Sequence, residues 1–153
     1  LNETLGELAD IVDAHKGDVL KFLGDGFLAI FSLEGRDPVA VCAEALAAAE
    51  EMRAANSRLN EMRGAAGKAP LVVDVALHLG EVMYGNVGSN RRLDFTVIGP
   101  AVNEAARIEA LCTPLGEQIL VSESFAAASG EQLRSVGTHQ LRGVARSQEL
   151  FTR

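Results

Sequence analysis

The segment VLKFLGDGFLAIF (19–31) contains two β-prone runs joined by three residues. VLKFL (19–23) and FLAIF (27–31) are rich in apolar, β-branched and aromatic side chains, and a Gly-Asp-Gly tripeptide separates them. Two such runs joined by a short glycine-containing loop are typical of a β-hairpin. The sequence therefore predicts a hairpin with Asp25 at its tip.

Helical periodicity flanks this hairpin on both sides. Before it, Leu5, Leu8 and Val12 recur at helical spacing, which predicts an opening helix. After it, apolar residues step by three or four from Val39 to Met62, with charged residues between them. This second pattern predicts one long amphipathic helix.

The second half of the chain mixes strands and helices. Residues 71–87 are predicted as one half-buried strand with a bend at Gly80, and residues 91–98 as the next strand. Pro100 suits the first position of a helix that runs to about Leu111. A strand at 117–122, a short helix at 123–129 and terminal strands around 132–137 and 148–153 complete the prediction. This mixed order with two hairpins predicts an α+β sandwich and argues against a doubly wound fold.

The composition is that of a folded domain. Of 153 residues, 48% are hydrophobic and 23% are charged, close to the averages for globular proteins. The net charge of −7 creates a field that repels a polyphosphate backbone. No apolar run approaches the ~20 residues of a membrane span, no signal peptide is visible, and Cys42 and Cys112 fit buried, reduced thiols. We expect one cytoplasmic domain over residues 1–153 that contacts neither nucleic acid nor membrane.

Common motifs of nucleotide-binding proteins and hydrolases are absent from the sequence. It has no G-x-G-x-x-G after a strand, and GAAGK (64–68) is followed by Ala where a P-loop needs Ser or Thr. No Cys or His pair has zinc-site spacing, and no Ser lies in a nucleophile elbow. Those enzyme classes are disfavoured.

Asp25 and Lys21 are polar residues in places that suggest chemistry. A carboxylate between glycines at a hairpin tip can present both oxygens to a hard cation such as Mg²⁺. An ordinary Asp-Gly turn is the favoured explanation of the tripeptide alone. Lys21 lies four residues before Asp25, on the predicted strand face of Val19 and Leu23. The alternative to a chemical role is that Lys21 lies on an edge strand and discourages aggregation there.

Asn103 and Arg107 are one helical turn apart and share a face of the predicted helix. An amide and a guanidinium placed in this way can bind a phosphate or a developing oxyanion. The spacing fits equally well with a solvent-exposed helix face on which Glu104 or Glu109 forms an ion pair with Arg107.

Four other polar residues are weaker candidates. His78 alternates with Asp74 onto the polar face of a strand, which favours a structural histidine over a ligand or base. Arg91 and Arg92, beside a glycine turn, favour a solvated loop over a phosphate clamp. Arg142, in QLRG, could contact a phosphate or have no such role.

Four segments follow one another in a characteristic order. They are KFLGDGFLAIF (21–31), LHLGEVMYGNVGS (77–89), RLDFTVIGPAVNEAARIEA (92–110) and LRG (141–143). In this order they resemble the catalytic domain of class III nucleotidyl cyclases, the adenylate and guanylate cyclases, over essentially the whole chain. The resemblance implies a ferredoxin-like, palm-type sandwich with a mixed, mostly antiparallel sheet flanked by helices.

The resemblance also implies roles for the candidate residues. Asp25 matches one of the family's two metal-binding aspartates, and Asn103 and Arg107 match the pair that orients the ribose and stabilises the transition state. Lys21 matches a purine reader, where lysine points to adenine and guanylate cyclases carry Glu. Thr96 stands at the second purine position, commonly Asp, as in a bacterial subgroup of adenylate cyclases, some of which respond to bicarbonate.

Two features depart from the family pattern. Arg142 stands where many members have a lysine that contacts the terminal phosphates. The family's first metal aspartate lies on a strand before the opening helix, whereas Asp10, Asp13 and Asp18 lie in or just after that helix. We therefore expect an N-terminally incomplete catalytic domain that lacks its first strand, from a longer polypeptide with regulatory domains. A degenerate cyclase is the alternative.

The implied activity is conversion of ATP to 3′,5′-cyclic AMP and pyrophosphate. Two Mg²⁺ or Mn²⁺ ions per site would assist attack of the ribose 3′-hydroxyl on the α-phosphate. In the family, one protomer supplies the metal carboxylates and the other the Lys, Thr, Asn and Arg set, so a homodimer forms the site. A guanylate cyclase is the alternative enzyme, although Lys21 argues against it. An inactive module that dimerises or binds nucleotide is the alternative outside enzymes.

Overall fold

Helices and strands follow each other in the mixed order that the sequence predicts. A computed structural model describes residues 2–89 and 92–153, without the side chains of residues 2, 84–89 and 92–97. The helices are α1 (Asn2–Ala14), α2 (Pro38–Ala65), α3 (Pro100–Glu109), α4 (Cys112–Leu115) and α5 (Glu123–Ser129). The strands are β1 (Asp18–Leu23), β2 (Gly26–Ile30), β3 (Val75–Leu77), β4 (Met83–Ser89), β5 (Arg92–Ile98), β6 (Ile119–Val121), β7 (Arg134–His139) and β8 (Gln148–Thr152).

The strands of the described residues form three sheets. β1 and β2 make one antiparallel hairpin, β4 and β5 make another, and a four-stranded sheet has the order β3-β6-β8-β7. In the larger sheet β3 and β6 run parallel, whereas β8 is antiparallel to both β6 and β7. The sheet is therefore mixed and mostly antiparallel, and its last strand in sequence lies in its interior.

The long helix α2 packs on the four-stranded sheet. Its first turn is capped by Asp37, whose carboxylate accepts a hydrogen bond from the Val39 amide at 3.3 Å, and Pro38 occupies the first helical turn. The apolar face of α2 meets β6 and α5 in a core cluster formed by Cys42, Ala45, Leu46, Ala49, Ile119, Val121 and Phe125. Each fully buried aliphatic side chain of this kind contributes about 1.5–3 kcal/mol.

A second core cluster lies where α1 packs on α2, and it consists of Leu8, Val12, Ala48 and Met52. Phe27 and Ala29 of β2 and Val75 of β3 pack against this same cluster. Among the described residues, β2 pairs only with β1, and β3 pairs only with β6. Two unpaired strand edges therefore pack against one pair of helices.

Residues 71–87 form two short strands instead of the single strand predicted. Before β3, the side-chain amide of Asn60 donates to the Leu71 carbonyl and accepts from the Leu71 amide, both at 2.8 Å. A helix side chain thus replaces a neighbouring strand there. Between β3 and β4, the loop at Gly80 lies against Ala101 of α3. These tertiary contacts interrupt the strand.

The other predicted elements are confirmed with shifted ends. The hairpin turn uses Gly24 in the left-handed region, at φ +57°. The register shifts between Val19 and Lys21, so the alternation expected to place both on one face is interrupted. Cys42 and Cys112 are buried and free of disulfides, as predicted. Within the part of the chain that the structure describes, no helix combines the length and apolar character that a membrane span requires.

Candidate active site

The β1–β2 hairpin carries two of the predicted site residues. Asp25 lies in the turn, next to Gly24, and Lys21 lies in β1 opposite Leu28 of β2. Both residues are exposed. The hairpin therefore presents a carboxylate and an ammonium to the surface, as the sequence predicts.

Helix α3 carries two more of them on its outer face. Gly99 precedes the helix with φ +148°, a conformation that favours glycine, and Pro100 follows in the first turn. Ile108 is fully buried, whereas Asn103 and Arg107 are exposed. Successive helical residues are rotated by about 100°, so the amide and the guanidinium share a face turned away from Ile108.

The predicted site residues with described side chains are all exposed: Lys21, Asp25, Asn103, Arg107 and Arg142. Within residues 2–89 and 92–153, none of them forms an ion pair. The alternative in which Glu104 neutralises Arg107 does not hold, because the carboxylate of Glu104 pairs with His78 instead. The charged groups are thus available to a ligand or a partner.

Thr96 has a defined place in the backbone. It lies in β5 opposite Gly85 of β4. The antiparallel ladder of these two strands extends from the pair Met83 and Ile98 to the pair Ser89 and Arg92. Its side chain lies outside the described residues, as do Arg91 and the side chain of Arg92. The predicted strand is confirmed, and the role of Thr96 stays a prediction.

His78 is more enclosed than the sequence predicts. It follows the last residue of β3, and its side chain is 8% exposed and in contact with a carboxylate, so the interpretation as a structural histidine with polar partners is confirmed. Nε2 lies 2.8 Å from a carboxylate oxygen of Glu104, and Nδ1 lies 3.5 Å from Oγ of Ser124. Burial lowers the pKa of His78, and the charge of Glu104 opposes this shift. Sequence reasoning missed the pair with Glu104, because no local pattern connects two residues so far apart in the chain.

Negative charge accumulates between the hairpin turn and the end of α3. Burial raises the pKa of Glu109, and the charges of Asp74 and Asp25 raise it further. Burial, together with Asp74 and Glu109, also raises the pKa of Cys112 to about 12, so this thiol stays protonated at neutral pH. A divalent cation would relieve such a field. Within the described ranges, however, no three His, Cys, Asp or Glu side chains are close enough to share one ion.

Among the described residues, two surface depressions lie apart from the candidate residues. One surface depression of about 270 Å³ is lined by residues of α5 and β8, including Glu123, Glu149 and Phe151. Another of about 550 Å³ lies between the start of α1 and the end of α2, beside Leu59 and Met62. Neither includes a candidate residue.

Large apolar side chains are exposed beside these residues. Phe22 and Leu23 of β1, and Met83 and Ile98, which pair across β4 and β5, are between 49% and 77% exposed. β1 and β5 are in contact. Both hairpins, β1–β2 and β4–β5, therefore carry exposed apolar side chains.

Comparison with known proteins gives one family. Residues 1–151 match the family model described as the adenylate and guanylate cyclase catalytic domain. The crystal structure of the guanylyl cyclase Cya2 superposes with a TM-score of 0.80 at 30% identity, covering 99% of this chain and 76% of that one. The expected fold is confirmed.

Curated relatives extend well beyond the compared segment. A protein named adenylate cyclase from Anabaena cylindrica is 38% identical over 128 residues, which is 81% of this chain and 24% of that protein. An uncharacterized protein of Mycobacterium tuberculosis (strain H37Rv) is 37% identical over 147 residues, which is 94% of this chain and 26% of that protein. The chain thus spans about a quarter of the length of the curated relatives it matches.

Proposed function

Because the chain belongs to the family of adenylate and guanylate cyclase catalytic domains, we propose that it converts ATP to 3′,5′-cyclic AMP and pyrophosphate. The observation that carries the choice of ATP is Lys21, an exposed ammonium in β1, which by the resemblance of the sequence would read the purine. Adenine N1 accepts a hydrogen bond from an ammonium, whereas guanine N1 carries a hydrogen and cannot. The similarity to the Anabaena protein named adenylate cyclase supports the same choice.

The residues of α3 and the 141–143 turn would act on the ribose and phosphates. The reaction forms a bond from the 3′-oxygen to the α-phosphorus and breaks the bond from that phosphorus to the pyrophosphate oxygen, and the hydroxyl proton leaves to solvent. Arg107 would donate to the charge that grows on the phosphate oxygens, a contribution of about 3–4 kcal/mol for a well-placed donor. Asn103 would orient the ribose, and Arg142 would hold the terminal phosphates with its planar donor group.

Asp25 would be one ligand of the divalent ions. Its exposed carboxylate, and the negative field that raises the pKa of Glu109, suit a hard cation. When bound, two Mg²⁺ or Mn²⁺ ions would neutralise the triphosphate and lower the pKa of the 3′-hydroxyl. Asp25 alone does not complete such a site, so a second carboxylate must join it.

A further strand would supply that carboxylate. β2 and β3 each have one unpaired edge among the described residues, and both pack against the cluster between α1 and α2. An inserted strand would satisfy the backbone groups of both edges and join the hairpin to the larger sheet. We propose that residues 1–153 are one catalytic domain whose first strand, and regulatory domains, lie elsewhere in a longer polypeptide.

Two copies of the chain would share each site. In this arrangement Asp25 serves one site and Lys21, Thr96, Asn103 and Arg107 serve the other. Two observations support it. The candidate side chains line neither of the two surface depressions described above, although nucleotides bind in concave sites. Exposed apolar residues beside them offer a dimer contact. We place the domain in the cytoplasm, where nucleoside triphosphates are available.

Guanylate cyclase is the second candidate, favoured by the 0.80 TM-score and 30% identity to the guanylyl cyclase Cya2. The test is to incubate the full-length natural polypeptide with Mn²⁺ and either ATP or GTP, and to quantify both cyclic nucleotides by mass spectrometry. Cyclic AMP in excess supports the proposal. Cyclic GMP in excess assigns the guanylate activity, and neither product at any metal concentration assigns an inactive module that only dimerises or binds nucleotide.

A further inference from the structure

Helix α3 is held along a stripe that lies about 110° around the helix from its exposed polar pair. Ala101 lies against the loop at Gly80, Glu104 binds His78, and Ile108 is fully buried. These positions are three and four residues apart, so they form one stripe along the helix. With about 100° per residue, Asn103 and Arg107 project from another side of the same turns.

The middle contact of this stripe is the polar one. Apolar contacts such as those of Ala101 and Ile108 are non-directional and tolerate small rotations of the helix. Nε2 of His78 lies 2.8 Å from a carboxylate oxygen of Glu104, and the two side chains are 8% and 25% exposed, so separating them would leave two shielded polar groups without a partner. A polar contact so shielded from water has more effect than one on open surface.

The residue after His78 is held by a second element. Ser124, in α5, donates its hydroxyl hydrogen to the carbonyl of Leu79 at 2.8 Å. The start of α3 lacks such support, because Gly99 provides no side-chain cap. The contact between His78 and Glu104 therefore links α3 to the end of β3, next to the residue that Ser124 of α5 binds.

We propose that the contact between His78 and Glu104 sets the rotation of α3 and thereby aims Asn103 and Arg107 at the nucleotide. Glu104 is a positioning residue, because it lies between Asn103 and Arg107 in sequence but pairs inward. The inference rests on the proposed function, in which those two residues act on the ribose and phosphates. A displacement of a catalytic group by about 1 Å can cost about 100-fold in rate.

The experiment compares two substitutions of Glu104 in the full-length natural polypeptide. Glu104→Ala removes the acceptor, and Glu104→Gln keeps an acceptor oxygen for Nε2 without the charge. The matched control is Glu51→Ala, which breaks another histidine–glutamate pair: Glu51 of α2 lies 2.5 Å from Nε2 of His15, away from α3. Steady-state kcat and KM for Mn²⁺-ATP and the melting temperature are measured for each variant.

We expect Glu104→Ala to lower kcat by about 10- to 100-fold with KM changed by less than about threefold, because transition-state contacts are misaligned. Glu104→Gln should stay within about threefold of the wild type, and Glu51→Ala should lose stability without losing kcat. Equal kcat in wild type and Glu104→Ala would overturn the proposal, as would a loss in Glu104→Gln as large as in Glu104→Ala.

A second readout separates this inference from the proposed function. Amide hydrogen exchange in α3 reports the anchoring whether or not the polypeptide is a cyclase. Faster exchange in α3 in Glu104→Ala, with protection unchanged in Glu51→Ala, is expected. If Arg107→Ala retains full activity, the proposed function fails while the exchange result still stands. Unchanged exchange in Glu104→Ala would refute the anchoring itself.

Discussion

No side chain fits between Gly80 and Ala101. A Cβ added at Gly80 would lie 2.7 Å from the Cβ of Ala101 and 3.2 Å from Nε2 of His78. The loop after β3 and the first turn of α3 are therefore in direct backbone-to-side-chain contact, and the position of α3 depends on a glycine outside that helix.

Gly80→Ala should destabilise the fold by about 1–3 kcal/mol, because α3 must move to admit the methyl group. Denaturant unfolding measures the loss. Gly6→Ala is the control, because Gly6 lies in α1 with open space around it. Alanine at that position should raise the free energy of unfolding by about 0.5–1 kcal/mol. Equal stability of Gly80→Ala and wild type would show that the contact is loose.

Asp25→Asn should abolish Mn²⁺-dependent formation of cyclic AMP and shift the melting temperature by less than about 2 °C, since the side chain is exposed and forms no ion pair with any described side chain. Asp18→Asn, at the other end of β1 and also exposed, should leave activity near wild type. Turnover at the wild-type rate in Asp25→Asn would remove Asp25 from the metal site.

Lys21→Glu should reduce kcat/KM for ATP and raise that for GTP, because a carboxylate accepts hydrogen bonds from the N1 and N2 groups of guanine. We expect the ATP-to-GTP ratio to fall by at least about tenfold. Lys68→Glu, which makes the same charge change in an exposed loop, should leave the ratio unchanged. A constant ratio in Lys21→Glu would dissociate Lys21 from base recognition.

Asp25→Ala and Arg107→Ala should each be inactive alone and should recover activity when mixed. In a mixed dimer one site carries both lesions, while the other combines an intact Asp25 with an intact Arg107. With random exchange about half of the dimers are mixed, so activity should reach about a quarter of wild type per chain. Mixed dimers that form but show no activity would exclude a shared site.

The stability of the wild type should fall more steeply than that of His78→Gln as the pH is lowered from about 7.5 to about 5.5. Burial holds the pKa of His78 below its value in the unfolded chain. The unfolded chain therefore binds more protons in this range, and acid favours unfolding. Denaturant unfolding at both pH values measures the change in the free energy of unfolding for each protein. The control Ile119→Val removes no titratable group, so it should lower the free energy of unfolding by the same amount at both pH values. Parallel pH profiles of wild type and His78→Gln would contradict the shift.

The sequence predicts those parts of the fold that depend on neighbours in the chain. The hairpin around Asp25 follows from glycines between two apolar runs, and α3 follows from Pro100 and the spacing of its apolar residues. The break within residues 71–87 does not, because Asn60 holds Leu71 from a helix that is remote in sequence. Side-chain hydrogen bonds of that kind leave no periodic signal.

The candidate site divides in the same way. Asn103 and Arg107 share an exposed helix face, as their spacing predicts, and Asp25 is at the hairpin turn. His78 is the structural histidine that the sequence favours, with its side chain 8% exposed beside Glu104. Its partner Glu104 was interpreted as a possible counterion of Arg107, since helical spacing gives neighbours on the same helix but not contacts across elements.

The interior position of β8 governs how the chain can fold as it is synthesised. β6 is completely buried, and its edge is covered by β8, where Leu150 is buried and Thr152 donates to the Ile119 carbonyl at 2.6 Å. A nascent chain that ends before residue 148 leaves that edge and its apolar side chains open. Such an intermediate is the species that chaperones bind and that aggregates at high expression. Ribosome stalling or truncation within the last strand should therefore yield insoluble protein, even though every proposed site residue has already been made.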